Sequence, residues 1–139
     1  MNKKALLALV AALMTAVAPA YAARTDITVQ TILDPNGTIG AGLADLTWTA
    51  ADVANMNSFT MTGKETVYVW NTDVGAHTCT LTSAADQLGR TKDITSYSVG
   101  ASKISVFGPF ATLGWRQSTG KFFLQANDAT VKFAIVRGQ

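Results

Sequence analysis

The 139-residue sequence contains one cysteine, Cys79, and one histidine, His77. A lone cysteine cannot form a disulfide within the chain, so the fold must be stabilised by its hydrophobic core. One histidine and one cysteine also cannot complete a closed zinc site, which needs four such ligands. We therefore expect neither a disulfide framework nor a bound metal.

Charged residues are scarce, at 14 % of the chain, whereas hydrophobic residues make up 48 %. This balance excludes a disordered chain, which combines low hydrophobicity with high charge. It predicts a surface that relies on Thr, Ser, Asn and Gln, or that is partly covered by partners. The sequence has no basic block and no basic amphipathic helix, so we expect no binding to nucleic acid or to a membrane surface.

The longest apolar run lies at the N-terminus, where Lys3 and Lys4 precede an almost wholly apolar stretch at 5–18. Small alanines follow, and this three-part pattern predicts a signal peptide at residues 1–22, with a signal helix. The run of about 14 residues is shorter than the ~20 needed for a helix to span a bilayer. The alternative interpretation is an uncleaved N-terminal anchor.

Cleavage after position 22 would leave a domain at residues 23–139 with nine basic and nine acidic side chains. The net charge of +2 on the whole chain therefore belongs to the signal peptide. We expect one neutral domain that is secreted or periplasmic.

Short runs of β-branched and aromatic residues, separated by Gly, Asn, Asp and Ser, dominate the sequence after position 23. About eight or nine such runs occur, and no helical period of useful length accompanies them. This pattern predicts an all-β fold, an antiparallel β-sandwich. The predicted strands are 25–33, 46–49, 57–62, 65–71, 77–83, 94–99, 103–107, 121–125 and 131–137.

Two local signals refine the prediction. Gly63-Lys64 lies between two predicted strands and indicates a two-residue hairpin turn. Thr49, followed by an acid at Asp52, indicates one short helical turn with Thr49 as its N-cap.

His77 and Cys79 lie on one face of a predicted strand, with Cα atoms ~6.5–7 Å apart and side chains parallel. A thiol–imidazole pair needs ~3 Å, so we interpret Cys79 as a buried free thiol and place His77 at the strand end near Asp73.

Asp86 and Asp93 flank the longest polar loop, but their spacing does not match a calcium loop, so we interpret that loop as solvated.

No nucleophile elbow, P-loop or dinucleotide fingerprint occurs, and most acids lie at predicted turns. We therefore expect no catalytic residues, no cofactor and no enzymatic activity. The aromatic residues fit a core and subunit interface, or a sugar-binding platform. The candidate interface or binding residues are Tyr68, Trp70, Trp115 and Arg116, because the two tryptophans adjoin polar turns.

The order of several short segments along the chain also indicates a class of proteins that this chain resembles. They are TDITV at 25–29, LTWTAAD at 46–52, WNT at 70–72, HT at 77–78, GRTKDIT at 89–95, VFGPF at 106–110, GWRQ at 114–117 and VKFA at 131–134. In this order they resemble small virion structural proteins of tailed phages and prophages, such as capsid decoration proteins. The resemblance covers nearly all of residues 24–137, and together with the strand count it implies a jelly roll. It implies no catalytic residues, and the signal-like N-terminus departs from it.

Two functional hypotheses follow. The first is a structural protein that forms homo-oligomers or decorates a larger assembly, as a virion protein or an exported relative; it predicts apolar patches and aromatic residues between subunits. The second is a secreted module that binds a surface glycan or another cell-surface partner; it predicts exposed aromatic rings beside polar groups.

Overall fold

The computed structural model describes residues 23–33, 40, 42 and 44–138. The predicted signal peptide lies outside the described residues. Within them the chain forms ten strands in two sheets and no helix, which confirms the predicted all-β sandwich. The strands are β1 (Thr25–Asp26), β2 (Val29–Thr31), β3 (Thr49–Ala50), β4 (Asn57–Thr60), β5 (Glu65–Asn71), β6 (His77–Thr82), β7 (Ile94–Val99), β8 (Ile104–Phe107), β9 (Lys121–Ala126) and β10 (Val131–Arg137).

The main strands form one long hairpin that is rolled into a sandwich. Strands β6 and β7 pair at its centre, and β5 with β8, β4 with β9 and β3 with β10 follow outward, all antiparallel. Successive pairs alternate between sheet A, ordered β1-β4-β9-β6-β7, and sheet B, ordered β2-β10-β5-β8 with β3 also on β10. A hairpin rolled in this way has the strand order of a jelly roll, so the expected topology is confirmed.

The N-terminal segment adds an edge strand to each sheet. Strand β1 pairs in parallel with β4, and β2 pairs in parallel with β10, so both sheets are mixed rather than purely antiparallel. The predicted strand at 25–33 is divided because Ile27, 3 % exposed, enters the core where the chain crosses between the sheets. This segment therefore closes one side of the sandwich.

The predicted hairpin at Gly63-Lys64 is wrong. Strand β4 ends in sheet A and β5 begins in sheet B, so residues 61–64 cross between the sheets. The buried Glu65 carboxylate holds this crossing, because it accepts hydrogen bonds from the N–H groups of Thr62 (2.9 Å) and Gly63 (2.9 Å) and from the Thr62 hydroxyl (2.6 Å).

The predicted helical turn is present but begins three residues later. Thr49 lies in β3, and Asp52 is the capping residue instead. Its Oδ1 accepts hydrogen bonds from the N–H groups of Ala54 (3.1 Å) and Asn55 (2.8 Å), and the Met56 N–H donates to the Asp52 carbonyl (2.7 Å). An aspartate accepts from the first N–H groups of a turn more effectively than a threonine that is already paired in a strand.

The core lies between the two sheets and contains an aromatic cluster around Phe122, which is fully buried. The Phe122 ring stacks on Phe59 at 5.1 Å and on Trp115 at 5.7 Å, and Phe110 lies 5.0 Å away. Aliphatic side chains on alternate positions of β5, β6, β9 and β10 complete the core. The fully buried ones are Val67, Val69, Leu81, Leu124, Val131 and Ile135.

We expect Glu65→Gln to destabilise the fold by about 1–3 kcal/mol at neutral pH, because N–H groups at the crossing would lose a charged acceptor. Burial opposes ionisation of Glu65, but its hydrogen bonds from Thr62 and Gly63 outweigh burial and hold its pKa below the usual value. The carboxylate therefore contributes stability above the unfolded-state pKa, and this is lost as pH falls through the folded-state pKa.

Urea unfolding at neutral pH and near pH 3 checks this expectation. The difference between wild type and Glu65→Gln should shrink at the acidic pH. Asp45→Asn, at an exposed carboxylate, is the control and should stay within ~0.5 kcal/mol of wild type. A difference for Glu65→Gln that is absent at neutral pH, or the same at both pH values, would contradict the role of its charge.

Candidate interaction face

The outer face of sheet B carries the aromatic side chains that the sequence singled out. Along β5, side chains alternate between buried and half-buried positions. Val67 and Val69 point into the core, so Tyr68 and Trp70 point outward, because successive side chains of a strand face opposite sides.

The strands beside β5 extend this apolar surface. Directly opposite Tyr68 lies Val106 of β8, and directly opposite Trp70 lies Ile104. Paired residues share a face of the sheet, so both side chains also point outward. Ile104 is 52 % exposed and Val106 is 55 % exposed. We call the surface of Trp48, Tyr68, Trp70, Ile104 and Val106 the aromatic face.

Trp48 lies on the aromatic face because the Gln30 side chain forms two hydrogen bonds with the backbone of the preceding residue, Thr47. The Gln30 Nε2 donates to the Thr47 carbonyl (3.0 Å), and the Thr47 N–H donates to Gln30 Oε1 (3.1 Å). The side-chain amide thus pairs with the backbone as a neighbouring strand would. It holds Trp48 over the sheet, where the Trp48 and Trp70 ring centroids lie 5.3 Å apart at a tilt of 59°.

The aromatic face carries almost no charge. Among the outward positions of the described sheet B strands, Lys132 is the one charged residue, directly opposite Trp70. Its Nζ lies 5.7 Å from the Trp70 ring centroid. The long stem of a lysine lets the ammonium reach the rim of such a surface, so the face can be covered without burying that charge.

Tyr68 and Trp70 were predicted from the sequence as candidate residues, whereas Trp48, Gln30, Ile104 and Val106 were not. The sequence did indicate that two of them lie together, because Ile104 and Val106 alternate with Ser105 and Phe107 and must share one face of the strand. Phe107 is on the other side, where its ring meets Tyr97 edge-on at 5.1 Å. The other side of β8 combines Phe107 with the polar Ser105, so alternation alone favoured burial of Ile104 and Val106, which the structure exposes.

Trp115 and Arg116 are not part of the aromatic face. The Trp115 ring is half-buried and lies 4.4 Å from Phe110 and 5.7 Å from Phe122, so it belongs to the edge of the core. Arg116 is exposed beside an open cleft of about 520 Å³ that is also lined by Leu113. The structure therefore brings together two of the four candidate residues, Tyr68 and Trp70, and places the other two elsewhere.

His77 and Cys79 do not form a reactive pair. His77 Nε2 lies 2.8 Å from Asp73 Oδ2, as the sequence indicated. Cys79 is a free thiol, 1 % exposed, and burial raises its pKa to about 11. A buried thiol that stays protonated is a poor nucleophile.

The acids of the polar loop hold its backbone. Asp86 accepts hydrogen bonds from the Leu88 and Arg90 N–H groups and from Arg90 Nε (2.7 Å), and Asp93 accepts from the Ser83 N–H and hydroxyl (both 2.7 Å). No group of three or more His, Cys, Asp or Glu side chains that could hold a metal occurs in the described part of the chain. No helix there is long and apolar enough to cross a membrane.

Comparisons with known proteins identify no relative: no family model, no curated protein and no solved structure matches the chain.

Proposed function

We propose that this protein is a non-enzymatic structural protein that self-associates through the aromatic face. The observation that carries this proposal is the pair of half-exposed aliphatic residues, Ile104 and Val106, beside Tyr68 and Trp70 on a nearly uncharged sheet face. Contiguous apolar surface of this kind marks interaction sites, whereas scattered single apolar residues do not.

A second copy of the chain fits this surface well. Sheets pack face to face at ~10 Å, and a two-fold axis brings the same patch of both subunits together. Tyr68 and Trp70 would lie near the centre of such an interface, where aromatic residues contribute most. The one lysine of the face, Lys132, lies directly opposite Trp70, and its long stem lets the ammonium reach the rim.

The biological setting of this assembly is also a proposal. The signal-like residues 1–22 support an exported protein, whereas the likeness to tailed-phage proteins supports a virion component. Jelly rolls occur both in viral capsid proteins and in lectins, and a fold alone does not choose between them.

Sedimentation velocity over a range of concentrations, with negative-stain microscopy, tests the proposal. We expect a concentration-dependent dimer or a larger regular assembly of the protein as isolated. A monomer at every concentration would overturn self-association.

Glycan binding is the alternative function for the same face. A sugar ring stacks on an open aromatic surface, but Trp70 is already in contact with Trp48 and near Lys132. We therefore favour the protein partner. A strong change of tryptophan fluorescence on addition of glycans to a monomeric protein would favour the alternative.

Intact-mass measurement of protein from its native host tests export. We expect the mass of a chain that begins at Ala23, because the alanine-rich end of the apolar stretch fits a signal-peptidase site. Retention of residues 1–22 would contradict a cleaved signal and a secreted location.

A further inference from the structure

A groove on the outer face of sheet A is separate from the aromatic face. It has a volume of about 700 Å³, within the range of small-molecule sites, ~300–1,000 Å³. Its floor is formed by Phe123 and Lys121 of β9, and one wall by Met56 and Ala54 of the turn that follows β3. Arg24 lies at the remaining side, next to β1.

Arg24 provides the groove with a charge that the described residues leave unpaired. Its guanidinium carbon lies 4.0 Å from the centroid of the Phe123 ring, and none of the described residues hydrogen-bonds to the guanidinium or forms an ion pair with it. Arginine remains charged in proteins, and its planar group has five N–H donors. The side chain is half-buried, and burial lowers its pKa.

The other charged side chains near the groove already have hydrogen-bond or ion-pair partners. Lys121 Nζ lies 2.8 Å from Asp26 Oδ2 and donates to the Thr60 hydroxyl at 3.1 Å. Asp52 accepts from the Thr25 hydroxyl (2.6 Å) and from Asn55 Nδ2 (3.1 Å), in addition to the two N–H groups of its turn. Among the described side chains at this groove, Arg24 is therefore the cation that still has its donors available.

We propose that this groove binds an organic carboxylate, with Arg24 holding the carboxylate group and the apolar wall of Met56 and Ala54 holding the body of the ligand. A guanidinium and a carboxylate match in shape and form two parallel hydrogen bonds. The Phe123 ring packs against the guanidinium, so part of the side-chain freedom of Arg24 is already lost before a ligand binds. The apolar lining favours a ligand with a hydrocarbon or ring body over a small inorganic anion.

Titration of the isotopically labelled protein with 4-phenylbutyrate tests this site by NMR. We expect saturable shifts of the Arg24 Nε–H signal and of the Met56 and Phe123 amides. The neutral amide of the same acid should bind at least tenfold more weakly, because it lacks the charge that pairs with Arg24. Glucuronate, a carboxylate with a polar body, is the second arm and should bind more weakly than 4-phenylbutyrate; equal binding would contradict the role of the apolar wall.

Arg24→Gln and Arg116→Gln form a matched pair, because both remove an arginine charge and only one lies in the groove. Arg24→Gln should weaken binding at least tenfold, whereas Arg116→Gln should have no effect. Equal effects of the two variants, equal binding of acid and amide, or no shifts at all would overturn the site. Val106→Glu, on the opposite sheet, should leave this binding unchanged, so failure of self-association is distinguishable from failure of the carboxylate site.

Discussion

Replacing Val106 with glutamate should leave the protein folded and make it monomeric. Val106 points away from the core and is 55 % exposed, so the isolated subunit can solvate a carboxylate there. In the proposed interface the same carboxylate would be covered by the apolar face of the partner. An unpaired charge in such a place costs several kcal/mol, so we expect at least a 100-fold weaker association, or ~3 kcal/mol.

The control for this variant is Val74→Glu. Val74 lies in the loop between β5 and β6, away from the aromatic face, and is 91 % exposed. Val74→Glu also replaces a valine with a glutamate, so it changes the net charge of the protein by the same amount as Val106→Glu. Sedimentation velocity of both variants, with circular dichroism to verify the fold, should show a monomer only for Val106→Glu. Association of both variants at the wild-type level would exclude the aromatic face as the interface.

Val106→Thr separates the effect of charge from that of packing. Threonine has nearly the same shape but adds a hydroxyl, so we expect association weaker than wild type and stronger than with glutamate. If assembly instead used the open backbone edge of β8, both side-chain changes would have small effects, because strand addition depends on main-chain hydrogen bonds.

Local alternation predicted much of this fold. The bounds of β5, β7 and β10 match the predicted strands, since each of these runs is rich in β-branched or aromatic residues. The buried Cys79 also followed from alternation along one strand, and the position of His77 beside Asp73 followed from its place at the strand end. These features depend on neighbours in the sequence, so the sequence alone could indicate them.

Features set by distant pairing could not be predicted in this way. Gly63-Lys64 has the composition of a hairpin turn, but whether β4 and β5 pair depends on where β9 and β10 lie. The predicted strand at 25–33 is likewise divided at Ile27, and its two ends find parallel partners in different sheets.

The position of the Trp115 side chain also could not be predicted from its neighbours in the sequence. Its polar neighbours Arg116 and Gln117 suggested exposure. Gly114, with φ of 87°, instead allows a turn that places the ring over Phe122. This left-handed conformation favours glycine, and its effect on the next residue depends on core residues far along the chain.

Phe122→Ala should cause a large loss of stability, about 3–5 kcal/mol. The ring is fully buried and packs against Phe59, Phe110 and Trp115, so its removal would leave a cavity between the sheets. Small domains have total stabilities of only ~5–15 kcal/mol. Urea unfolding followed by circular dichroism measures the loss, and Phe122→Leu, at about 1–2 kcal/mol, keeps the test possible if the alanine variant does not fold.

Phe123→Ala is the matched control, because it makes the same change one residue along β9. Its ring faces outward and contacts Arg24, so we expect a loss of about 1 kcal/mol. Phe122→Ala should also shift the emission of Trp115 to longer wavelength, since that indole would lose its stacking partner and gain access to water. Equal losses for the two variants would mean that β9 does not direct Phe122 into the core. A large difference would support the alternation that places the aromatic cluster inside and the carboxylate groove outside.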